Sequence, residues 1–167
     1  MRRGIYPGTF DPITFGHLCI VQRSLNIFDE VVVAVAPNPR KQPLFGIEER
    51  IAMIRESVKD LKHVHVEPFE GLLVDYAKQR GCIALIRGLR AVSDYEYELQ
   101  MALMNRRLDR TIETVFLMPE EEHSFVSSTI AREVASFGGS VKSLVPPNVA
   151  AALKMKFGSV KRKRGQK

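Results

Sequence analysis

Tyr6-Pro7-Gly8-Thr9-Phe10-Asp11-Pro12-Ile13-Thr14-Phe15-Gly16-His17 is the stretch that organises this sequence. It leaves a short β-rich run, Arg3 to Tyr6, and enters a segment where Leu18, Val21, Leu25 and Phe28 recur at helical spacing. In a doubly wound parallel sheet, ligands bind outside the carboxyl ends of the strands, so a glycine-bearing turn there is where a phosphate would be received. Gly8 permits close backbone approach, and Gly16 leaves room beside His17. A lone histidine near a helix start is more often structural than catalytic. One turn into a helix that faces the ligand edge, with Thr9 nearby, His17 reads as a chemical residue.

Working outward, short β-rich runs alternate with longer stretches of helical period, the pattern of βαβ units and a sheet covered on both faces. Glu30 to Ala36, with four valines, reads as a strand buried on both sides; Val64 to Glu67, Ile83 to Ile86 and Thr114 to Leu117 complete a set of five with Arg3 to Tyr6. Ile51, Ile54, Val58 and Leu61 mark one helix, and Tyr97, Met101, Met104 and Leu108 a longer one. Ile130, Val134 and Phe137 form a stripe ending at Gly138-Gly139, a C-cap signal. Pro147 opens a last helix carrying Val149, Leu153 and Phe157. The expected fold is therefore α/β, a doubly wound five-stranded parallel sheet of Rossmann-like type.

Two more segments fall at the same sheet edge. Arg87-Gly88-Leu89-Arg90 follows the fourth strand, placing two guanidinium groups where planar donors suit phosphate oxygens. Taken alone, these arginines are equally well surface ion-pairing groups. Ser124-Phe125-Val126-Ser127-Ser128-Thr129 follows the fifth strand and opens a helix, with hydroxyls and unpaired amides toward that edge. An ordinary N-cap would need one hydroxyl only. Three strand ends with phosphate-suited chemistry outweigh three coincidences.

The 167 residues suit one domain, read as residues 1–157, with 158–167 a basic, flexible tail. Hydrophobic residues at 45% and charged residues at 26% exclude disordered and collagen-like classes. No apolar run approaches the ~20 residues of a membrane span, and Met1-Arg2-Arg3 leads into Gly4-Ile5 without a secretory h-region, so a cytoplasmic location is expected. Cys19 and Cys82 sit singly in apolar stretches and read as reduced packing residues. The net charge of +6 is concentrated in Lys161, Arg162, Lys163, Arg164 and Lys167; without them the body is nearly neutral, so specific nucleic-acid binding is not expected.

The first stretch resembles the T/H-x-G-H signature of the nucleotidylyltransferase superfamily, in the form found in the bacterial phosphopantetheine adenylyltransferase family. Asn38-Pro39-Arg40-Lys41, Ile86-Arg87-Gly88-Leu89-Arg90-Ala91, Asp94-Tyr95-Glu96-Tyr97-Glu98 and Phe125-Val126-Ser127-Ser128-Thr129 are similar to that family's further motifs, in order, and the similarity runs from about residue 4 to residue 157. The resemblance implies the reaction of ATP with 4′-phosphopantetheine to give dephospho-coenzyme A and pyrophosphate. It also implies a homohexamer; Mg²⁺ is expected from the chemistry and, with no carboxylate cage evident in the sequence, is expected to be carried on the triphosphate.

Roles follow position by position from the resemblance. His17 matches the donor to the α-phosphate in the transition state, and Thr9 a residue that holds the attacking phosphate, its backbone with Phe10 bordering the nucleotide. Lys41 and Arg87 match the basic residues that bring the two anionic substrates together. Leu73 matches a pantetheine-arm contact, with a core leucine an equally good reading. Gly88, Leu89, Arg90 and Glu98 match nucleotide contacts, as does the stretch His123, Ser124, Phe125, Val126, Ser127, Ser128 and Thr129. His123 replaces an aromatic residue common in the family, and Glu120-Glu121-Glu122 is an acidic approach expected to face solvent. The competing readings are a related transferase acting on another phosphate, such as nicotinate mononucleotide, and a nucleic-acid-binding module using the basic tail.

Overall fold

The structure, a computed structural model, describes residues 1–37 and 42–164, with backbone only at 92, 93 and 159–164. Five parallel strands, β1 (Arg3–Gly8), β2 (Glu30–Val35), β3 (Val64–Pro68), β4 (Ala84–Gly88) and β5 (Glu113–Leu117), form one sheet in the order β3-β2-β1-β4-β5. Helices α1 (Phe15–Ser24), α2 (Ile47–Ser57), α3 (Leu73–Gln79) and α4 (Val92–Leu108) connect successive strands; α5 (Ser128–Ser136) and α6 (Pro147–Arg164) follow β5. The expected doubly wound α/β architecture is the one observed.

The valines of β2 explain the layering. Val31, Val33 and Val35 join the larger core cluster with Ile20 and Val21 of α1, Ile51 and Ile54 of α2, Ala131 of α5 and Leu153 of α6. Val32 and Ala34 point the other way, onto Val74 and Ala77 of α3 and Ile112. Alternation through a pleated strand thus divides one valine-rich run between two cores.

The strand order reverses between β1 and β4, which makes this the switch point where doubly wound sheets bind ligands. There the sheet also opens. β1 pairs with β4 only through Gly4↔Ala84 and Ile5↔Leu85, while on its other side it stays paired with β2 up to Gly8↔Val35. β4 likewise stays with β5 to Gly88↔Leu117. Both strands run two residues beyond the expected ends, because each keeps its outer neighbour after losing the inner one. Pro7, with no N–H to donate, sits in this opening, and its carbonyl accepts Arg87 Nη1 at 3.3 Å.

Three features differ from the simplest reading of the sequence. Phe28 lies beyond α1, buried in the turn before β2, and Val58 caps α2 with Leu61 in the turn that follows. The stripe on α4 is not buried in the chain: Tyr97 is 62% exposed, and Met101, Met104 and Leu108 are also exposed. α6 extends to Arg164, into the stretch read as a basic tail. No described helix is long and apolar enough to cross a membrane.

Candidate active site

The opening between β1 and β4 is the mouth of a cavity of about 650 Å³. Of the residues singled out in the sequence, Thr9, Phe10, His17, Arg87, Gly88, Arg90, Glu98, Val126, Ser127, Ser128 and Thr129 line it. Three strand ends thus converge on one space. Leu89, His123, Ser124, Phe125 and Leu73 are not among its lining residues, and Lys41 lies outside the described residues.

The turn after β1 is built around an aromatic ring. Phe10 has φ 48°, the left-handed region that a bulky residue enters at a cost of roughly 1–2 kcal/mol. Its ring is buried and meets Tyr6 and His17 edge-on at centroid distances of 5.4 and 5.1 Å. Gly8 is needed for that ring: a Cβ there would stand 2.8 Å from it. Gly16 in turn makes room for backbone, since a Cβ would lie 3.3 Å from the carbonyl oxygen of His123 and 3.4 Å from that of Val126. The sequence reading gave both glycines to ligand or histidine clearance; the structure gives them to the Phe10 ring and the loop before α5.

His17 is oriented by the N-cap of its own helix. Thr14 Oγ1 accepts from the His17 backbone N–H at 3.4 Å, and the Thr14 backbone N–H donates to His17 Nδ1 at 3.1 Å. A backbone N–H can only donate, so Nδ1 is the bare nitrogen and Nε2 carries the hydrogen. Thr14 Oγ1 lies 2.9 Å from the same Nδ1. Burial, reinforced by the positive charge of Arg90, holds the imidazole pKa down to about 4. At neutral pH His17 is therefore a neutral ring with one fixed donor.

Arg87 is held as a fork. Its Nε and Nη2 donate to Glu98 Oε2 and Oε1 at 2.7 and 2.6 Å, and Nη1 to Pro7 O. Three of its five N–H groups are thereby engaged, and two remain for an anion. Glu98 projects from α4, so it aims the guanidinium and neutralises its resting charge. Arg90 pairs with Asp94 of α4 through Nε at 3.2 Å. Across the cavity, Ser127 caps α5 by accepting from Ile130 N–H at 3.2 Å, and Ser128 Oγ donates to Pro12 O at 2.7 Å. The helix begins at Ser128, later than the serine-rich run suggested. Ser124 ends a 3₁₀ turn (Glu121–His123) and donates back to Glu121 O, while Phe125 is 61% exposed. His123 stacks on Phe15 at 5.8 Å, and the three glutamates before it are exposed, as expected.

Reasoning from sequence did not single out Tyr6, Asp11 or Arg132, which also line the cavity. Asp11 is buried; it accepts from Leu44 and Phe45 N–H at 2.8 and 2.9 Å and from Arg132 Nη1. An acidic residue three positions past the strand-end Gly8 and directly before Pro12 was the available signal. Burial pushes the Tyr6 phenol pKa upward, so it stays protonated. The two cavity carboxylates, Asp11 and Glu98, are thus both committed to arginines and amides. The described lining leaves no uncommitted carboxylate for a Mg²⁺ ion.

Comparisons with known proteins agree with this geometry. Residues 5–134 match the cytidylyltransferase-like family. The chain is 60% identical over 157 residues to a phosphopantetheine adenylyltransferase of Thermodesulfovibrio yellowstonii, covering 93% of this chain and 98% of that protein. It is 57% identical to that of Anaeromyxobacter dehalogenans strain 2CP-C (94% and 96% covered) and 50% identical to that of Caldanaerobacter subterraneus (94% and 98%). A crystal structure of a candidate nicotinate-nucleotide adenylyltransferase from Vibrio parahaemolyticus superposes with a TM-score of 0.70 at 17% identity, with 93% of each chain covered, a likeness of fold. A split five-stranded sheet, a cavity at its switch point and relatives matched along nearly their whole length lead to one conclusion: the chain belongs to the phosphopantetheine adenylyltransferase family of nucleotidyltransferases.

Proposed function

We propose that the chain transfers the adenylyl group of ATP to 4′-phosphopantetheine, releasing pyrophosphate and forming dephospho-coenzyme A, by direct in-line attack. The observation that carries this reading is the placement of His17, a neutral donor of fixed tautomer, in one cavity with Arg87, Arg90 and the start of α5. A phosphate monoester with a second pKa of ~6 is already mostly a dianion at neutral pH, so it attacks without a base. The protein's work is then orientation and charge stabilisation.

In this reading an oxygen of the acceptor phosphate bonds to the α-phosphorus as the bond to the β-phosphate oxygen breaks, and pyrophosphate carries off the electron pair. His17 Nε2–H donates to a non-bridging α-oxygen as charge builds there. Thr9, Lys41 and the two remaining N–H groups of Arg87 hold the acceptor phosphate, and Leu73 meets the pantetheine arm. Gly88, Leu89 and Glu98 border the nucleotide with Phe10 and the stretch His123–Thr129. Arg90 and the amides at the start of α5 receive the β- and γ-phosphates. Mg²⁺ enters as part of the nucleotide substrate, carried by its phosphates and waters.

The exposed apolar residues of α4 support assembly with further copies of the chain, for which a homohexamer is proposed; a cytoplasmic setting fits the reaction. Pyrophosphate release, measured with ATP and either 4′-phosphopantetheine or nicotinate mononucleotide, tests the acceptor. Turnover with the former alone is expected, and preference for the latter would replace this reading with the related transferase.

A further inference from the structure

Arg50, on α2, is the bulkiest of the fully buried side chains, 1% exposed, and no carboxylate among the described residues forms an ion pair with it. Four of its five N–H groups are instead donated to backbone carbonyls. Nε donates to Phe45 O at 3.1 Å, Nη1 to Thr9 O at 2.6 Å and to Ala36 O at 2.7 Å, and Nη2 to Pro37 O at 3.3 Å. These oxygens come from three separate segments: the turn after β1, the chain just past β2, and the residues leading into α2.

Burying a charge is costly, and an apolar side chain of similar volume often fills such a space with equal or greater stability. What leucine or methionine cannot supply is a rigid planar set of donors reaching three segments at once. Asp11 completes the arrangement from the opposite side. It holds the Phe45 N–H while Arg50 holds the Phe45 carbonyl, and it also binds Leu44 N–H and Arg132 of α5. A continuous polar chain, Arg132–Asp11–Phe45–Arg50–Thr9, thus ties α5 to the turn after β1 at Asp11 and loops through the residues leading into α2 back to the same turn at Thr9.

We propose that Arg50 is a positioning residue for adenylyl transfer, fixing the Thr9 turn against the end of β2 and the start of α2 so that the acceptor phosphate is held in line with the α-phosphorus. The proposal rests on the assignment of Thr9 to the acceptor phosphate. It concerns geometry only, since Arg50 is buried and is not among the residues that line the cavity.

The test compares Arg50→Lys, Arg50→Met and Thr9→Ala in the full chain. Melting temperature, amide hydrogen exchange, and steady-state kinetics with ATP and 4′-phosphopantetheine are measured for each. Lysine keeps the charge but not the fork. Displacing a reacting group by about 1 Å costs ~10²-fold, so kcat should fall at least ~10-fold in Arg50→Met and by less in Arg50→Lys. The KM for phosphopantetheine should rise ~5-fold or more while that for ATP stays within ~3-fold. Exchange at the Phe10 and 44–46 amides should quicken without change in β2 or β4. Folded Arg50 variants with unaltered kinetics, a uniform loss tracking only the folded fraction, or failure of both to fold would each overturn the proposal, because the side chain would then serve the fold alone. If Thr9→Ala leaves the acceptor KM unchanged, the Thr9 assignment fails and the proposal with it. If Thr9→Ala raises that KM and the Arg50 variants do not, only the proposal fails.

Discussion

Acidification should destabilise this protein through His17, and the His17→Gln variant should be spared that part of the loss. The imidazole titrates at about 4 in the folded chain against an ordinary 6.5, because burial and then the Arg90 charge oppose the imidazolium. Between those values the unfolded chain binds a proton that the folded chain refuses. Stability therefore rises with pH across this window and is lost as pH falls through it. The whole window corresponds to roughly 3 kcal/mol, since one pH unit is worth about 1.4 kcal/mol. Carboxylate groups in general also titrate in acid, so the informative quantity is the difference between wild type and variant, in which their contributions cancel. Urea unfolding followed by circular dichroism at pH 7.5, 6.5, 5.5 and 4.5 supplies it. Between pH 7.5 and 4.5 the wild type should lose about 2–3 kcal/mol more than His17→Gln. Parallel stability curves would refute the reasoning, because they would mean that His17 is free to protonate in the folded site.

Three further outcomes follow from the site. His17→Ala should lower kcat at least ~10²-fold with ATP binding changed only several-fold, measured by stopped-time assay and calorimetry, as expected for a donor that acts in the transition state. Arg87→Ala and Lys41→Ala should each raise the KM for phosphopantetheine; unchanged values in both would return these residues to structural roles. Deleting Ser159 to Lys167 should leave turnover and melting temperature almost unchanged, and filter binding should find no sub-micromolar, sequence-selective nucleic-acid affinity in the full chain at physiological salt, where the Debye length is about 8 Å.

The strands were legible because each is a short run with β-branched or aromatic residues between turn residues, and the four valines of β2 announced burial on both faces. Their carboxyl ends were not. Pro7-Gly8 and Arg87-Gly88 look like turn residues, yet each stays in its strand through pairing with the outer neighbour. That pairing is a tertiary fact. The α4 stripe was legible as a helix but not as exposed, since periodicity says that a face is apolar and not what covers it. His17, Arg87 and the Ser127–Thr129 helix start were legible from residue type and position. Asp11, Arg132 and Arg50 were hidden because their partners lie far along the chain: 121 residues separate Arg132 from Asp11, and 41 separate Arg50 from Thr9. Gly8 and Gly16 were recognised as required, but the requirement comes from the left-handed Phe10 and from the carbonyls of His123 and Val126.

Direct attack on a positioned nucleotide is the central claim, and the stereochemistry at the α-phosphorus tests it. The enzyme would be given one stereoisomer of an ATP analogue bearing sulfur on the α-phosphorus, together with 4′-phosphopantetheine. The configuration of the sulfur-bearing dephospho-coenzyme A would then be assigned by phosphorus NMR against standards. A single in-line displacement with no covalent enzyme intermediate predicts inversion. Retention would contradict the account, because it requires two successive displacements and hence a protein nucleophile that this site has not been assigned.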